Sequence, residues 1–89
     1  MPAYWIAHVT VTDEEAYGEY AKRAGLAIAA HGGRFLARGG RCVGFEGDTR
    51  PRNVVVEFPS VEAAEACYRS PAYQEALGFA LGASKRDLI

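Results

Sequence analysis

From Ala3 to Val11 the chain is rich in β-branched and aromatic residues and reads as a strand. Alternation sends Tyr4, Ile6, His8 and Thr10 to one face and Trp5, Ala7, Val9 and Val11 to the other. Both sets are largely apolar. A strand apolar on both sides is covered on both sides, and the helices of one copy cover only one face. The pattern then changes period. Thr12-Asp13-Glu14-Glu15 reads as a capping box with Thr12 at the N-cap and acid in the first helical turn. Tyr17, Tyr20, Ala24, Ala27 or Ile28, and His31 recur on one helical stripe. Gly32-Gly33 supplies a left-handed stop near His31.

Arg34 to Glu46 reads as a strand interrupted at Gly39-Gly40, either a tight hairpin or, as preferred here, one long strand bent at a bulge. The parity supports this, with Phe35, Ala37, Val43 and Phe45 on one side and Arg34, Leu36, Arg38 and Cys42 on the other. A turn at 47–51 leads to an antiparallel strand over Asn53 to Phe58. Ser60 caps a second helix with Val61, Ala64, Cys67 and Tyr68 on its apolar stripe. Ser70-Pro71 restarts that helix, and Tyr73, Ala76, Leu77, Ala80 and Leu81 continue its apolar face. Asp87, Leu88 and Ile89 form a short final strand.

The order β-α-β-β-α-β, with right-handed crossovers, folds as a ferredoxin-like antiparallel sheet with both helices on one face. That is an α+β domain occupying residues 1–89. The helix-free face carries Val55 with Ile6 or Trp5 and Leu36 or Phe35, an apolar patch that marks an interface. Two such sheets packed face to face make a homodimer, a dimeric α+β barrel with twofold contacts. Length points the same way. At 89 residues, roughly 60–65% of the unfolded surface is buried on folding, so a good core or a partner is needed.

A net charge of −1 with 24% charged residues argues against nucleic acid as a partner. No stretch approaches the ~20 apolar residues of a membrane span, and the first residues lack the features of a signal peptide. Cys42 and Cys67 are isolated, which suits reduced thiols in a cytoplasm, with both side chains buried as small hydrophobes.

Several segments are shared with one family. They are Met1-Pro2-Ala3-Tyr4, Val11-Thr12-Asp13, Gly32 to Gly40 (GGRFLARGG), Glu46-Gly47-Asp48, Val56 to Ser60 (VEFPS), and Tyr68 with Ser70-Pro71-Ala72-Tyr73-Gln74. In these the chain resembles the domain of unknown function 1330 family along nearly its whole length. The resemblance implies a dimeric α+β barrel and no established activity. More distant barrels of this kind include cofactor-free monooxygenases, muconolactone-type isomerases and haem-degrading enzymes. Two departures stand out: the apolar C-terminal strand is cut to Leu88-Ile89, and Gly25 replaces an expected proline.

Candidate chemistry centres on His31. It ends the helical stripe, so its ring is directed toward the core or a pocket, where it serves as a general acid/base. The plainer reading is a helix-end histidine bonded to backbone. Arg38 or Arg52 would anchor a small anion at the mouth of a sheet–helix cleft, while surface ion pairing with Glu46, Asp48 and Glu57 is the structural alternative. Glu57, set among valines, requires a partner, with Arg34 or Arg38 nearest on the adjacent strand. Tyr68 and Tyr73 would line the pocket, although aromatics so spaced are more often core. The two histidines offer no zinc-binding spacing, and no phosphate-loop or nucleophile-elbow motif occurs. Two functions follow. One is an enzyme without a tightly bound cofactor, acting on a small anionic or phenolic molecule. The other is a non-catalytic dimer that binds a small-molecule ligand or is purely structural.

Overall fold

The computed structural model describes residues 1–89. A four-stranded antiparallel sheet is built from β1 (Ala3–Val11), β2 (Arg34–Arg38), β3 (Arg52–Phe58) and β4 (Ser84–Leu88), in spatial order β2-β3-β1-β4. Helices α1 (Glu14–Ala30), α2 (Val61–Arg69) and α3 (Pro71–Leu81) cover one face. This is the ferredoxin-like arrangement that the strand order implied.

Helix α1 begins one residue later than the capping-box reading. Asp13, not Thr12, is the N-cap, and its carboxylate accepts from the Ala16 N–H at 3.2 Å. Carboxylate and hydroxyl do the same work at this position, so sequence alone did not separate them. The helix ends as anticipated. Gly33 N–H reaches back to Ile28 O at 2.9 Å and Gly32 N–H to Ala29 O at 3.1 Å, with Gly32 at φ +77°.

The second predicted helix is two. Ser70 has extended backbone, and its side chain accepts from the Tyr73 N–H at 3.2 Å. Its hydroxyl also donates to Cys67 O at 2.7 Å, closing α2 while capping α3. Proline at the start of α3 lacks the N–H that would continue the hydrogen-bond ladder. The last strand is longer than its apolar residues suggested, because Ser84 to Leu88 pairs with Val11 to Ala7 along the edge of β1.

The predicted bent strand over Arg34 to Glu46 is also corrected. Regular pairing stops at Arg38, and the irregularity lies between Phe35 and Ala37, not at the double glycine. Two residues there oppose one step of β3, with Phe35 beside Val56 and Ala37 beside Val55. Strict alternation fails across such a bulge. Arg38 therefore falls opposite Val54, on the same side of the sheet as Phe35.

Trp5, Ala7 and Val9 are buried against the helices, and Tyr4, Ile6 and His8 lie on the open face. Trp5 packs with ring centroids 4.9 Å from Phe58 and 5.0 Å from Tyr73. Val56, Phe58, Cys67, Tyr73, Ala76 and Ala80 are almost fully buried. Cys67 matches its expected burial, whereas Cys42 is exposed because the segment carrying it leaves the sheet.

Candidate functional site

A small, partly open cavity of about 30 Å3 lies between the sheet and α1. It holds a water or two, or the oxygens of one carboxylate. Most of its wall is apolar, with Trp5, Val54 and Val56 from the sheet and Ala24 and Ile28 from α1. Three arginines break that wall: Arg38 from β2, Arg52 from β3 and Arg86 from β4. The bulge delivers the first, and regular alternation delivers the others.

Each guanidinium stacks on an aromatic ring. Arg38 sits 4.1 Å from the centroid of Phe35, Arg52 5.6 Å from Tyr17, and Arg86 4.5 Å from Tyr20. Stacking compensates part of the desolvation of a cation. It leaves the in-plane N–H groups to find acceptors, and few do. Arg38 donates to Ala21 O at 3.3 Å. Arg86 Nη2 donates to Tyr20 Oη at 2.9 Å and approaches Tyr73 Oη at 3.5 Å. Arg86 Nε and Nη1 and Arg52 Nε are buried without any acceptor.

No carboxylate lines the cavity. Arg23, Arg34, Arg50 and Arg69 all pair with acids, at 2.9 to 3.1 Å. The three cavity arginines have no such partner. The neighbouring phenols supply no countercharge either. Burial pushes Tyr17 and Tyr20 above the ordinary tyrosine range, and Tyr73 raises Tyr20 further. Both remain neutral near pH 7. Tyr20 and Tyr73 hydroxyls share a hydrogen bond of 2.8 Å, so each is satisfied within the protein.

Close backbone approach makes room for the guanidinium groups. Gly39, at φ +75°, stands where a Cβ would come within 2.8 Å of Arg52 Nη1. A Cβ on Gly25 would come within 3.3 Å of Arg38 Nη2, which gives the departure from proline in α1 a local reason.

The residues singled out from the sequence are distributed unevenly. Arg38 and Arg52 are brought together at the cavity. Tyr73 stands behind it, fully buried, with its hydroxyl on Tyr20. Tyr68 lies outside that cavity, on the walls of two open grooves. His31 caps α1, donates from Nδ1 to Ala27 O at 2.9 Å and does not line the cavity. That is the plainer of the two readings offered for it. Glu57 pairs with Arg34 at 3.0 Å on the open face of the sheet. Arg86, which carries two of the three buried unpartnered nitrogens, was missed. Its signal was the alternation Ser84, Arg86, Leu88 in a segment that looked too polar for a strand. No three His, Cys, Asp or Glu side chains cluster as metal ligands would. No helix is long and apolar enough to cross a membrane.

Comparison with known proteins returns the same fold. A protein of unknown function from Rhodopseudomonas palustris superposes with a TM-score of 0.80 at 23% identity, covering 99% of this chain and 78% of that one. A dimeric ferredoxin-like protein of unknown function from Jannaschia sp. CCS1 gives 0.69 at 14% identity, covering 100% and 96%. SnoaB, a cofactor-independent oxygenase from Streptomyces nogalater, gives 0.64 at 14% identity, covering 99% and 90%. No curated protein matches the sequence significantly. The family profile described as domain of unknown function (DUF1330) matches residues 2–89, and the chain belongs to that family.

Proposed function

We propose that this protein is a small homodimer that binds a small organic anion in the cavity between its sheet and helices. One observation carries the reading: three arginines converge on a small, partly open cavity lined by no acid, and buried N–H groups of two of them lack acceptors. Burying an unpaired cation costs free energy that a bound anion would offset. Arg52 and Arg86 are the anchors, and Arg38 guards the entrance.

Thermal shift tests it directly. A carboxylic acid at about ten times its Kd would add about 1.4 kcal/mol of stability and raise Tm by several degrees. Arg86→Gln should abolish the shift. If no small acid moves the wild-type Tm, the anion reading fails.

The dimer rests on the open face of the sheet. Tyr4, Ile6 and Leu36 are 45%, 38% and 50% exposed there, and Phe45 beyond β2 is 90% exposed. Apolar exposure on this scale marks a contact surface. By light scattering the wild type should run as a dimer and Ile6→Asp as a monomer. A wild-type monomer at micromolar concentration would refute this part.

A second reading adds cofactor-free turnover at the same cavity. It is favoured by the phenol pair Tyr20–Tyr73 in contact with Arg86, and a structural relative is a cofactor-independent oxygenase. Mass spectrometry of the ligand recovered after incubation in air separates the two. An unchanged ligand supports binding alone.

A further inference from the structure

Strand β4 lies at the sheet edge, and its inward side chains are Ser84, Arg86 and Leu88. Outside that cavity an open groove of about 330 Å3 follows this edge, lined by Tyr68, Leu77, Leu81, Ser84, Arg86 and Leu88. Arg86 and Leu88 thus border both the cavity and the groove. Leu81 is 68% exposed and Tyr68 38% exposed, so the groove presents apolar surface to water. Apart from Ser84 and Arg86, its lining is four hydrophobic side chains. Its volume falls in the ordinary range for small-molecule pockets. The cavity between the sheet and α1, at about 30 Å3, has space for a charged head and nothing more.

We infer that the ligand is an amphiphilic monocarboxylic acid, with its carboxylate on Arg86 and its alkyl or aryl body in the groove between β4 and α3. The inference rests on the anion reading above and narrows it. A groove with one cation at its base and no other charge suits a ligand with one charged end. Arg86 Nε and Nη1 lack acceptors within the protein but are buried, so the guanidinium turns toward the groove to offer them to that end. Leu77, Leu81 and Tyr68 supply the contact for the remainder. Leu88 lines both compartments, and a ligand lying across both would pack against it.

The test is a chain-length series followed by NMR chemical-shift titration of the intact protein. Acetate, butyrate, hexanoate and octanoate are titrated, with octanol as the uncharged control. Affinity should rise about threefold with each added methylene as the body fills the groove. Octanol should bind at least about tenfold more weakly than octanoate, as expected when an anchoring charge-assisted hydrogen bond is lost. Leu81→Ser, at an exposed position that folding tolerates, should weaken octanoate by about tenfold. Arg86→Met, which keeps the bulk and removes the donors, should weaken every acid in the series. Equal affinity from acetate to octanoate would overturn the amphiphile and leave the anion site standing. Octanol binding as tightly as octanoate would overturn the placement of the head group on Arg86. Failure of every acid to bind would remove both the inference and the reading beneath it.

Discussion

Two regions of the same sheet–helix interface follow opposite rules. Around Trp5, Phe58 and Tyr73 every side chain is apolar or satisfied: rings pack at centroid distances of 4.9 and 5.0 Å, and the Tyr73 hydroxyl is bonded to Tyr20. Around Arg52 and Arg86 the same two layers half-bury cations without acids and N–H groups without acceptors, with the exposed Arg38 beside them. Trp5 belongs to both regions. The first region supplies stability. The second spends some of it, and such a local conflict in an otherwise consistent fold points to function.

The difference can be tested by substitutions whose effects differ in sign. In the aromatic region Phe58→Ala should destabilise the protein by about 3–5 kcal/mol, since the ring is almost fully buried and the surroundings relax only in part. Denaturant unfolding measures it. A loss below about 1 kcal/mol would mean this region is not the tight core described.

The thiol of Cys67 gives the same region a pH signature. Burial pushes it up to about 11 from the usual 9. Between those values the unfolded chain loses the proton while the folded chain keeps it, so stability falls as pH rises from 9 toward 11. The loss by pH 11 is about 2 kcal/mol, at 1.36 kcal/mol per unit. Raised Tyr17 and Tyr20 act with the same sign above pH 10. Cys67→Ala should flatten the first part of the decline, and unfolding curves collected across this range would show whether it does.

In the arginine region the sign reverses. Arg86→Met in the ligand-free protein should be neutral or stabilising by about 1–2 kcal/mol, because it removes a buried cation that lacks a counter-ion. The Tyr20–Tyr73 hydrogen bond survives the change. A loss of stability comparable to Phe58→Ala would erase the contrast between the regions. The smallest effect belongs to their boundary. Tyr73→Phe removes one partner of a buried pair and should cost about 1 kcal/mol, with Arg86 still donating to Tyr20.

Legibility in the sequence follows the same division. The aromatic core was readable because its residues recur at strand and helix periods: Trp5, Tyr17, Tyr20, Tyr73, Ala76 and Ala80 all stand where those periods put them. The glycine stop of α1 and the serine caps of α2 and α3 were readable as local chemistry. The site was only half readable. Arg38 was suspected from its charge, but alternation assigned it away from Phe35, and the bulge at Leu36 reversed that. Arg86 sat in a run of polar residues that pairs as an edge strand only because β1 offers it a partner. His31 was suspected because it closes an apolar stripe, and the helix end bound its ring to Ala27 O.

The sequence by itself determined the order of helices and strands and the two alternating faces of each regular strand, because periodicity, caps and turns are properties of neighbouring residues; which face meets the helices it left open. The tertiary structure alone decided which cations meet. Arg38, Arg52 and Arg86 lie on three strands far apart in the chain, and their convergence depends on a register shift and an edge pairing that exist only once the sheet has formed. The missing acid is likewise visible only there, since an unpaired charge is defined by what surrounds it in space.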